Sequence, residues 1–334
     1  MSNAKVTEND YLFLSAALRA RETRMLGRER IERMLEAEAF SDAARILTDC
    51  GYADMSDMGA EELEVALSAR RAELFNELGR IAPEQQLIDA FRLKYDYHNA
   101  KALIKAERSN ADTDHLLSES GRVSPEKMKE AFNNDDYRDL PPALAEAIKE
   151  AAGILARTGN PQLADFSMDK AYFAELLSLA EGLSSSFLRD YVKLQIDTAN
   201  LRAAVRTLRM GRGENFLKTA LIPGGNVKPD GLAAAAAAGE GIGRLFSSTP
   251  LAEAAVIGEE ATKGGSLTEF ELSCDNAAMK FIKRAKSKSF GSELVVAYLA
   301  AIENEITSAR MILTGKLSGI NPELIRERLR ETYA

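Results

Sequence analysis

The sequence has little of the residue chemistry on which most active sites and metal centres depend. It contains two cysteines, Cys50 and Cys274, and two histidines, His98 and His115, among 334 residues. Neither cysteine has a Cys-x-x-Cys partner, which excludes a disulfide scaffold and favours a reducing compartment. Two histidines cannot supply a His-rich metal site. We therefore expect no bound metal and no cofactor, with both cysteines acting as half-buried apolar fillers and His98 packing at a helix contact.

Motifs of phosphate binding and covalent catalysis are also missing. There is no GxxxxGK[ST], HExxH or GxSxG motif, and Gly315-Lys316 is followed by Leu317. The glycines of residues 239–243 follow a run of six alanines, Ala233–Ala238, rather than a strand, so they predict a short helix that ends in glycine. Carboxylates are abundant, but in an acidic helical protein they are expected on solvated faces. We expect no catalytic residue and no small-molecule substrate.

Long apolar runs and a basic surface are absent too. The longest apolar run, residues 294–302, is about half of what a bilayer crossing requires. Residues 1–5 lack the pattern of a secretory signal, so we expect a cytoplasmic protein. The net charge of −8 disfavours nucleic-acid binding. One basic stretch, Lys280–Lys288, could contact RNA or acidic lipid, but a solvated helix face on an acidic fold is the favoured interpretation.

The residues that are present favour an all-α fold. Ala, Leu, Glu and Arg dominate, with nine prolines, 22 glycines and no tryptophan. Apolar residues recur with helical spacing, and no stretch alternates as a strand would. Helix starts are predicted at Ser124-Pro125, Pro141-Pro142 and Asn321-Pro322. Loops are predicted at residues 109–114, 211–213 and 223–229, and the first two are candidate domain boundaries.

One pattern occurs three times: an acid, a small polar residue at i+3 and a base at i+5. Its members are Asp96, Asn99 and Lys101, then Asp197, Asn200 and Arg202, and finally Glu305, Ser308 and Arg310. The acids are 101 and 108 residues apart, which suits a small helical domain present in three copies. We predict three helical repeats, at residues 1–110, 111–213 and 214–334.

Each of these acids falls within an apolar stripe of its predicted helix. Because a buried charge is costly unless it is paired, we expect each acid to have a partner on a neighbouring helix of its own repeat. The base at i+5 is about 140° around the helix and is poorly placed for that role. Two hypotheses remain open. The acids fix how helices cross within each repeat, which three copies favour, or they are ligands for a central ion or partner.

Three segments carrying this pattern resemble the C subunit of the V-type and archaeal-type rotary ATPases, the counterpart of the eukaryotic d subunit. They are residues 94–105, 197–202 and 305–316, and the similarity continues through 319–330, with Tyr11 and residues 47–52 near the start. Coverage is therefore nearly the whole chain. Ala100 stands where the family usually has leucine, and Ser308 replaces the asparagine of the first two copies.

The resemblance implies three similar helical domains around a pseudo-threefold axis, forming a funnel with a central cavity. The cavity would receive the foot of the central stalk, built from D- and F-type shaft subunits, and the wide end would rest on the membrane rotor ring. Such a protein, on the cytoplasmic face of the membrane, transmits torque and catalyses nothing, while ion type and direction of operation belong to other chains. The alternative is a stand-alone helical repeat scaffold or adaptor of another cytoplasmic assembly, whose repeats would stack in an open line.

Overall fold

A computed structural model describes residues 6–109 and 113–334, and within these ranges the chain is helical with no β-strand. The all-α prediction is confirmed. The α-helices are α1 (Leu12–Glu22), α2 (Arg28–Glu36), α3 (Phe40–Ile46), α4 (Ala60–Ile81), α5 (Gln85–Ser109), α6 (Pro125–Asn133), α7 (Pro142–Thr158), α8 (Pro161–Gly182), α9 (Ser186–Arg209), α10 (Glu214–Ala220), α11 (Pro229–Ala238), α12 (Ile242–Leu245), α13 (Ala252–Thr262), α14 (Leu267–Lys283), α15 (Ser292–Leu317) and α16 (Pro322–Arg326). Short 3-10 helices cover Glu8–Tyr11, Leu47–Cys50, Asp114–Leu116 and Arg284–Ser287.

The predicted helix starts are confirmed at all three proline positions. The Ser124 hydroxyl accepts a hydrogen bond from the Lys127 N–H at 3.3 Å, and proline occupies the first turn of α6. The Asn321 side chain accepts from the Glu323 N–H at 2.9 Å at the start of α16. Helix α7 begins at Pro142. Proline is tolerated there because the N–H groups of a first helical turn have no intrahelical acceptor.

The loop at 211–213 is confirmed, and so is the loop at 223–229 except for Pro229, which begins α11; at 109–114, Ser109 ends α5 and Asp114 begins a 3-10 helix. The alanine run lies in α11, which ends at Gly239 with a left-handed φ of 74°. Residues 211–213 connect α9 to α10, and residues 223–228 lie between α10 and α11. In the predicted loop at 109–114, residues 110–112 lie outside the described part of the chain.

Contacts between Cα atoms divide the chain into two compact units. The terminal unit comprises residues 1–88 and 275–334, and the central unit comprises residues 89–274. In the terminal unit, α15 is buried along most of its length and packs against α1, α3, α4 and α16. In the central unit, α9 packs against α8, α10, α11 and α13. The division into repeats at 1–110, 111–213 and 214–334 stays a prediction.

Candidate functional site: three buried acids

Asp96 lies on α5 with its side chain fully buried. Its Oδ1 accepts backbone N–H groups of Arg122 at 2.8 Å and Val123 at 3.0 Å. Its Oδ2 accepts the Nε–H of Arg122 at 2.6 Å, and Arg122 also forms an ion pair with Glu175 at 2.9 Å. Burial raises the pKa of Asp96, and the hydrogen bonds from Arg122 and Val123 oppose that rise. The carboxyl is therefore enclosed by protein donors.

Asp197 occupies the corresponding place on α9 and is also fully buried. Its Oδ1 accepts the Val227 N–H at 3.1 Å. Its Oδ2 accepts two donors from Asn226, the backbone N–H at 3.1 Å and the side-chain Nδ2 at 2.8 Å. Burial raises the pKa of Asp197, opposed mainly by these hydrogen bonds. Unlike Asp96, this carboxyl is held by neutral hydrogen-bond donors.

Glu305 is the third acid, and it lies on α15. Its Oε2 accepts the Leu26 N–H at 2.6 Å, and its Oε1 accepts the Tyr52 hydroxyl at 2.8 Å. Burial raises the pKa of Glu305, and the same burial together with the nearby carboxyl raises the pKa of Tyr52. The donors to Glu305 come from the N-terminal part of the terminal unit, more than 250 residues away in sequence.

One backbone donor to each acid occupies the same position relative to the helix that follows it. Each acid accepts the N–H of the residue directly before a helix N-cap, and these residues are Val123 before α6, Val227 before α11 and Leu26 before α2. We call these the acid–loop contacts. The expectation of a partner on a neighbouring helix of the acid's own repeat is wrong. The partners lie on loops of another predicted repeat, because N–H groups ahead of a helix have no intrahelical acceptor and are free to bind a carboxylate.

The small polar residue at i+3 supports the same loops in the first two cases. Asn99 accepts the Ser118 N–H at 2.8 Å and donates to the Ser118 carbonyl at 2.9 Å. Asn200 makes the equivalent pair with Ile222, at 2.8 and 2.7 Å. A carboxamide thus satisfies both polar groups of one buried residue. Ser308 is also buried, with a shorter side chain at this position.

The base at i+5 does not bind the acid, as predicted, but reaches a carboxylate on another helix. Lys101 pairs with Asp169 of α8 at 2.8 Å, and Arg202 pairs with Glu271 of α14 at 2.6 Å. Arg310 pairs with Glu64 of α4 at 2.7 Å. Both members of each pair are partly exposed, so each pair stabilises the fold by at most about 1 kcal/mol. The acidic partners carry no sequence signal, because exposed acids are common throughout this chain.

Sequence reasoning also missed two glycines that the acid–loop contacts require. A Cβ on Gly121 would lie 2.5 Å from Asp96 Oδ1, and one on Gly225 would overlap the Asp197 carboxylate. Either overlap forces the loop away from the acid. The signal was present as Gly-x-Val, in residues 121–123 and 225–227, directly before a helix N-cap.

The cysteines and His98 form no reactive or metal-binding cluster among the described residues. Cys50 and Cys274 are buried, consistent with an apolar filling role, and burial raises the pKa of the Cys50 thiol to about 11. Such a thiol is a weak nucleophile at neutral pH. His98 is exposed, and its Nε2 lies 3.0 Å from the carbonyl of Leu116, the last residue of the 3-10 helix Asp114–Leu116. Among the described residues, no group of His, Cys, Asp or Glu side chains is arranged to hold a metal ion.

The basic stretch Lys280–Lys288 ends α14 and forms the following 3-10 helix. Lys283 pairs with Glu331 at 3.0 Å and Lys288 with Glu293 at 3.6 Å. The Lys286 ammonium lies 4.8 Å from the centre of the Tyr333 ring. These contacts within the terminal unit support the interpretation of the stretch as a helix face that completes the fold.

The three buried acids, Asp96, Asp197 and Glu305, share one arrangement of hydrogen bonds. Oxygens of all three acids accept hydrogen bonds from protein donors, which is the arrangement of carboxyls that hold structure. In the described ranges no helix is both long enough and apolar enough to cross a membrane. The chain is an α-helical protein in which three buried acids tie long helices to loops.

Comparison with known proteins gives the family. The family model described as "ATP synthase (C/AC39) subunit" matches residues 14–328, and the chain belongs to this family. It is 27% identical to the C subunit of the V-type sodium ATPase of Enterococcus hirae, over 97% of this chain and 99% of that protein. It is 25% identical to the C subunit of the A-type ATP synthase of Methanocaldococcus jannaschii, over 96% and 86%. It is also 24% identical to the C subunit of the V-type ATP synthase of Thermus thermophilus, over 63% and 68%.

Proposed function

We propose that this chain is the non-catalytic central-stalk rotor subunit of a V-type or A-type rotary ATPase. It couples the central shaft to the membrane ring that translocates protons or sodium ions. The observation that carries the proposal is the family match, which extends across residues 14–328. The resemblance of the segments around Asp96, Asp197 and Glu305 to the same family supports it independently of overall identity.

The proposed architecture is three helical repeats, at 1–110, 111–213 and 214–334, around a pseudo-threefold axis. In it the chain forms a funnel with a central cavity for the D- and F-type shaft subunits, and its wide end meets the ring. The recurrence of acid–loop contacts at three places in the chain supports three copies of one design. The nine residues of the recurring pattern then serve structure, and the protein is peripheral on the cytoplasmic face of the membrane.

A binding experiment tests this function. The purified chain is mixed with the shaft subunits and with the detergent-solubilised ring of the same organism, separately and together. We expect it to co-elute with each and to join both in one complex, without ATP turnover of its own. Binding to neither partner would contradict the proposal.

Solution scattering separates the proposed rotor protein from a stand-alone repeat scaffold. A closed arrangement of three repeats gives a compact particle, whereas repeats stacked in an open line give an elongated one. We expect the radius of gyration of a compact domain of this length, about 20 Å. A rod-like distance distribution would favour the scaffold.

A further inference from the structure

The three acid–loop contacts follow one order along the chain. Asp96 holds a loop that lies downstream of its own helix, at residues 121–123, and Asp197 holds the next one, at residues 225–227. Within residues 306–334, which the structure describes, no loop donates to Glu305 in this way. Its oxygen instead accepts the Leu26 N–H, directly before α2. The third acid thus takes its loop from the beginning of the chain.

We propose that Glu305 closes the chain on itself. In this proposal residues 24–26 serve the third repeat as residues 121–123 serve the first and residues 225–227 the second. Residues 24–26 then belong structurally to the third repeat, although they lie within the first repeat in sequence. The inference rests on the three-repeat architecture proposed above, but it concerns the isolated chain and does not depend on binding to a shaft or a ring.

The ion pairs at i+5 run in the same order and are independent of the acids. Lys101 of α5 pairs with a residue of α8, and Arg202 of α9 pairs with a residue of α14. Helices α8 and α14 directly precede α9 and α15, the next helices that carry a buried acid. Arg310 of α15 reaches Glu64 of α4, which precedes α5. The ion pairs, like the acid–loop contacts, therefore connect α15 to the first part of the chain. The compact terminal unit, which combines residues 1–88 with 275–334, agrees with such a closure.

The length of each acid matches the loop that it holds. Asp96 and Asp197 are paired with loops that carry glycine two positions before the valine donor, and there the backbone lies so close that a Cβ would overlap the carboxylate. At the third contact the same position is Arg24, which has a Cβ, and the acid is glutamate, longer by one methylene. In this proposal the extra methylene of Glu305 makes up for the room that the Arg24 side chain needs.

The chain end reinforces the same segment. Tyr333 is buried, and its hydroxyl donates to Glu22 at 3.2 Å, at the end of α1. The side chain of Ala334 lies within van der Waals contact of the position that a Cβ on Gly27 would occupy. Residues 22–27 are therefore held from α15 and from the C-terminal residues.

Amide hydrogen exchange of the full-length chain tests the closure directly. Glu305→Gln replaces one carboxylate oxygen by an NH₂ group. One of the two donors, the Leu26 N–H or the Tyr52 hydroxyl, then loses its acceptor. We expect exchange of residues 23–27 to become at least tenfold faster, while residues 121–124 and 225–228 keep their wild-type rates within twofold. Asp197→Asn should give the converse pattern, with faster exchange at 225–228 only. Glu327→Gln, an exposed glutamate of the same unit, is the matched control and should change none of the three loops.

A milder variant keeps the test informative if Glu305→Gln does not fold. Tyr52→Phe removes the hydroxyl donor to Glu305 Oε1 and leaves the Leu26 contact chemically intact. We expect it to speed exchange at residues 23–27 by a smaller factor than Glu305→Gln and to leave the other two loops unchanged. Unchanged exchange at 23–27 in the folded variants, or equal acceleration of all three loops, would overturn the closure.

Discussion

At the scale of single residues, Asp96, Asp197 and Glu305 are buried, and both oxygens of each carboxyl accept hydrogen bonds. The cost of burying each carboxyl is offset by a side-chain donor and by backbone N–H groups, and the backbone groups cannot move away as a flexible side chain can. Asp197 is the clearest case, because its hydrogen bonds come from the neutral groups of Asn226 and Val227. Its substitution therefore reports on hydrogen bonding without the loss of an ion pair.

Asp197→Asn should destabilise the protein by about 1–3 kcal/mol, because its amide NH₂ would face N–H donors and leave one of them buried without an acceptor. Urea denaturation monitored by circular dichroism measures the loss. Asp190→Asn, on the exposed face of the same helix, is the control and should shift the midpoint little. Equal midpoints for wild type and Asp197→Asn would show that the acid does not hold the loop.

The pH dependence of the same pair of proteins checks the burial of Asp197. Burial raises the pKa of Asp197 in the folded state, so the folded protein binds this proton more tightly than the unfolded chain does. The contribution of the carboxyl is fully present below its unfolded pKa of about 4 and is lost as pH rises through the folded pKa. The deficit of Asp197→Asn relative to wild type should therefore grow as pH is lowered from 7 toward the unfolded pKa of about 4. A deficit that shrinks would mean a lowered pKa instead.

At the scale of elements, each acid sets the distance between a long helix and the loop ahead of a short one. The loop at residues 223–228 approaches α9 so closely that Gly225 leaves no room for a side chain. Gly224, in the left-handed region with a φ of 102°, precedes it. The approach of the loop to Asp197 is thus fixed by the absence of a Cβ as much as by the presence of the acid.

Gly225→Ala should destabilise the chain by about 1–3 kcal/mol, the usual cost of forcing extra volume into a packed site. Thermal unfolding of the variant should begin at a lower temperature than that of wild type. Gly182→Ala serves as the control, since a Cβ there meets nothing within 4 Å and the residue ends α8. A Gly225→Ala variant as stable as wild type would contradict the close approach.

The sequence predicted the helices well, because helix formers, N-caps and proline positions act locally. Ser124, Pro142 and Asn321 each start a helix where expected. It also predicted that Asp96, Asp197 and Glu305 lie in buried stripes, since helical spacing alone places them among apolar neighbours. The backbone partners could not be predicted, because a backbone N–H has no residue type to recognise, and the side-chain partners Arg122, Asn226 and Tyr52 lie far from their acids in sequence. For Glu305 the donors lie more than 250 residues away.

At the scale of the whole molecule, the proposed role is that of a part that transmits force between other subunits. A protein that couples a shaft to a ring needs a rigid body with fixed internal angles. Buried polar contacts that are fully satisfied specify such angles, because displacing the loop would leave both a carboxyl and N–H groups unpaired. The proposed role and the observed contacts are therefore consistent with one another.

The most direct measurement of the coupling role compares ion transport with ATP hydrolysis in a rotary ATPase assembled with and without this chain. Reconstituted vesicles report both activities, one by a fluorescent ion gradient probe and the other by phosphate release. We expect vesicles lacking the chain to hydrolyse ATP without building an ion gradient, and the purified chain to restore transport when added back. Transport that proceeds equally well without the chain would contradict the account.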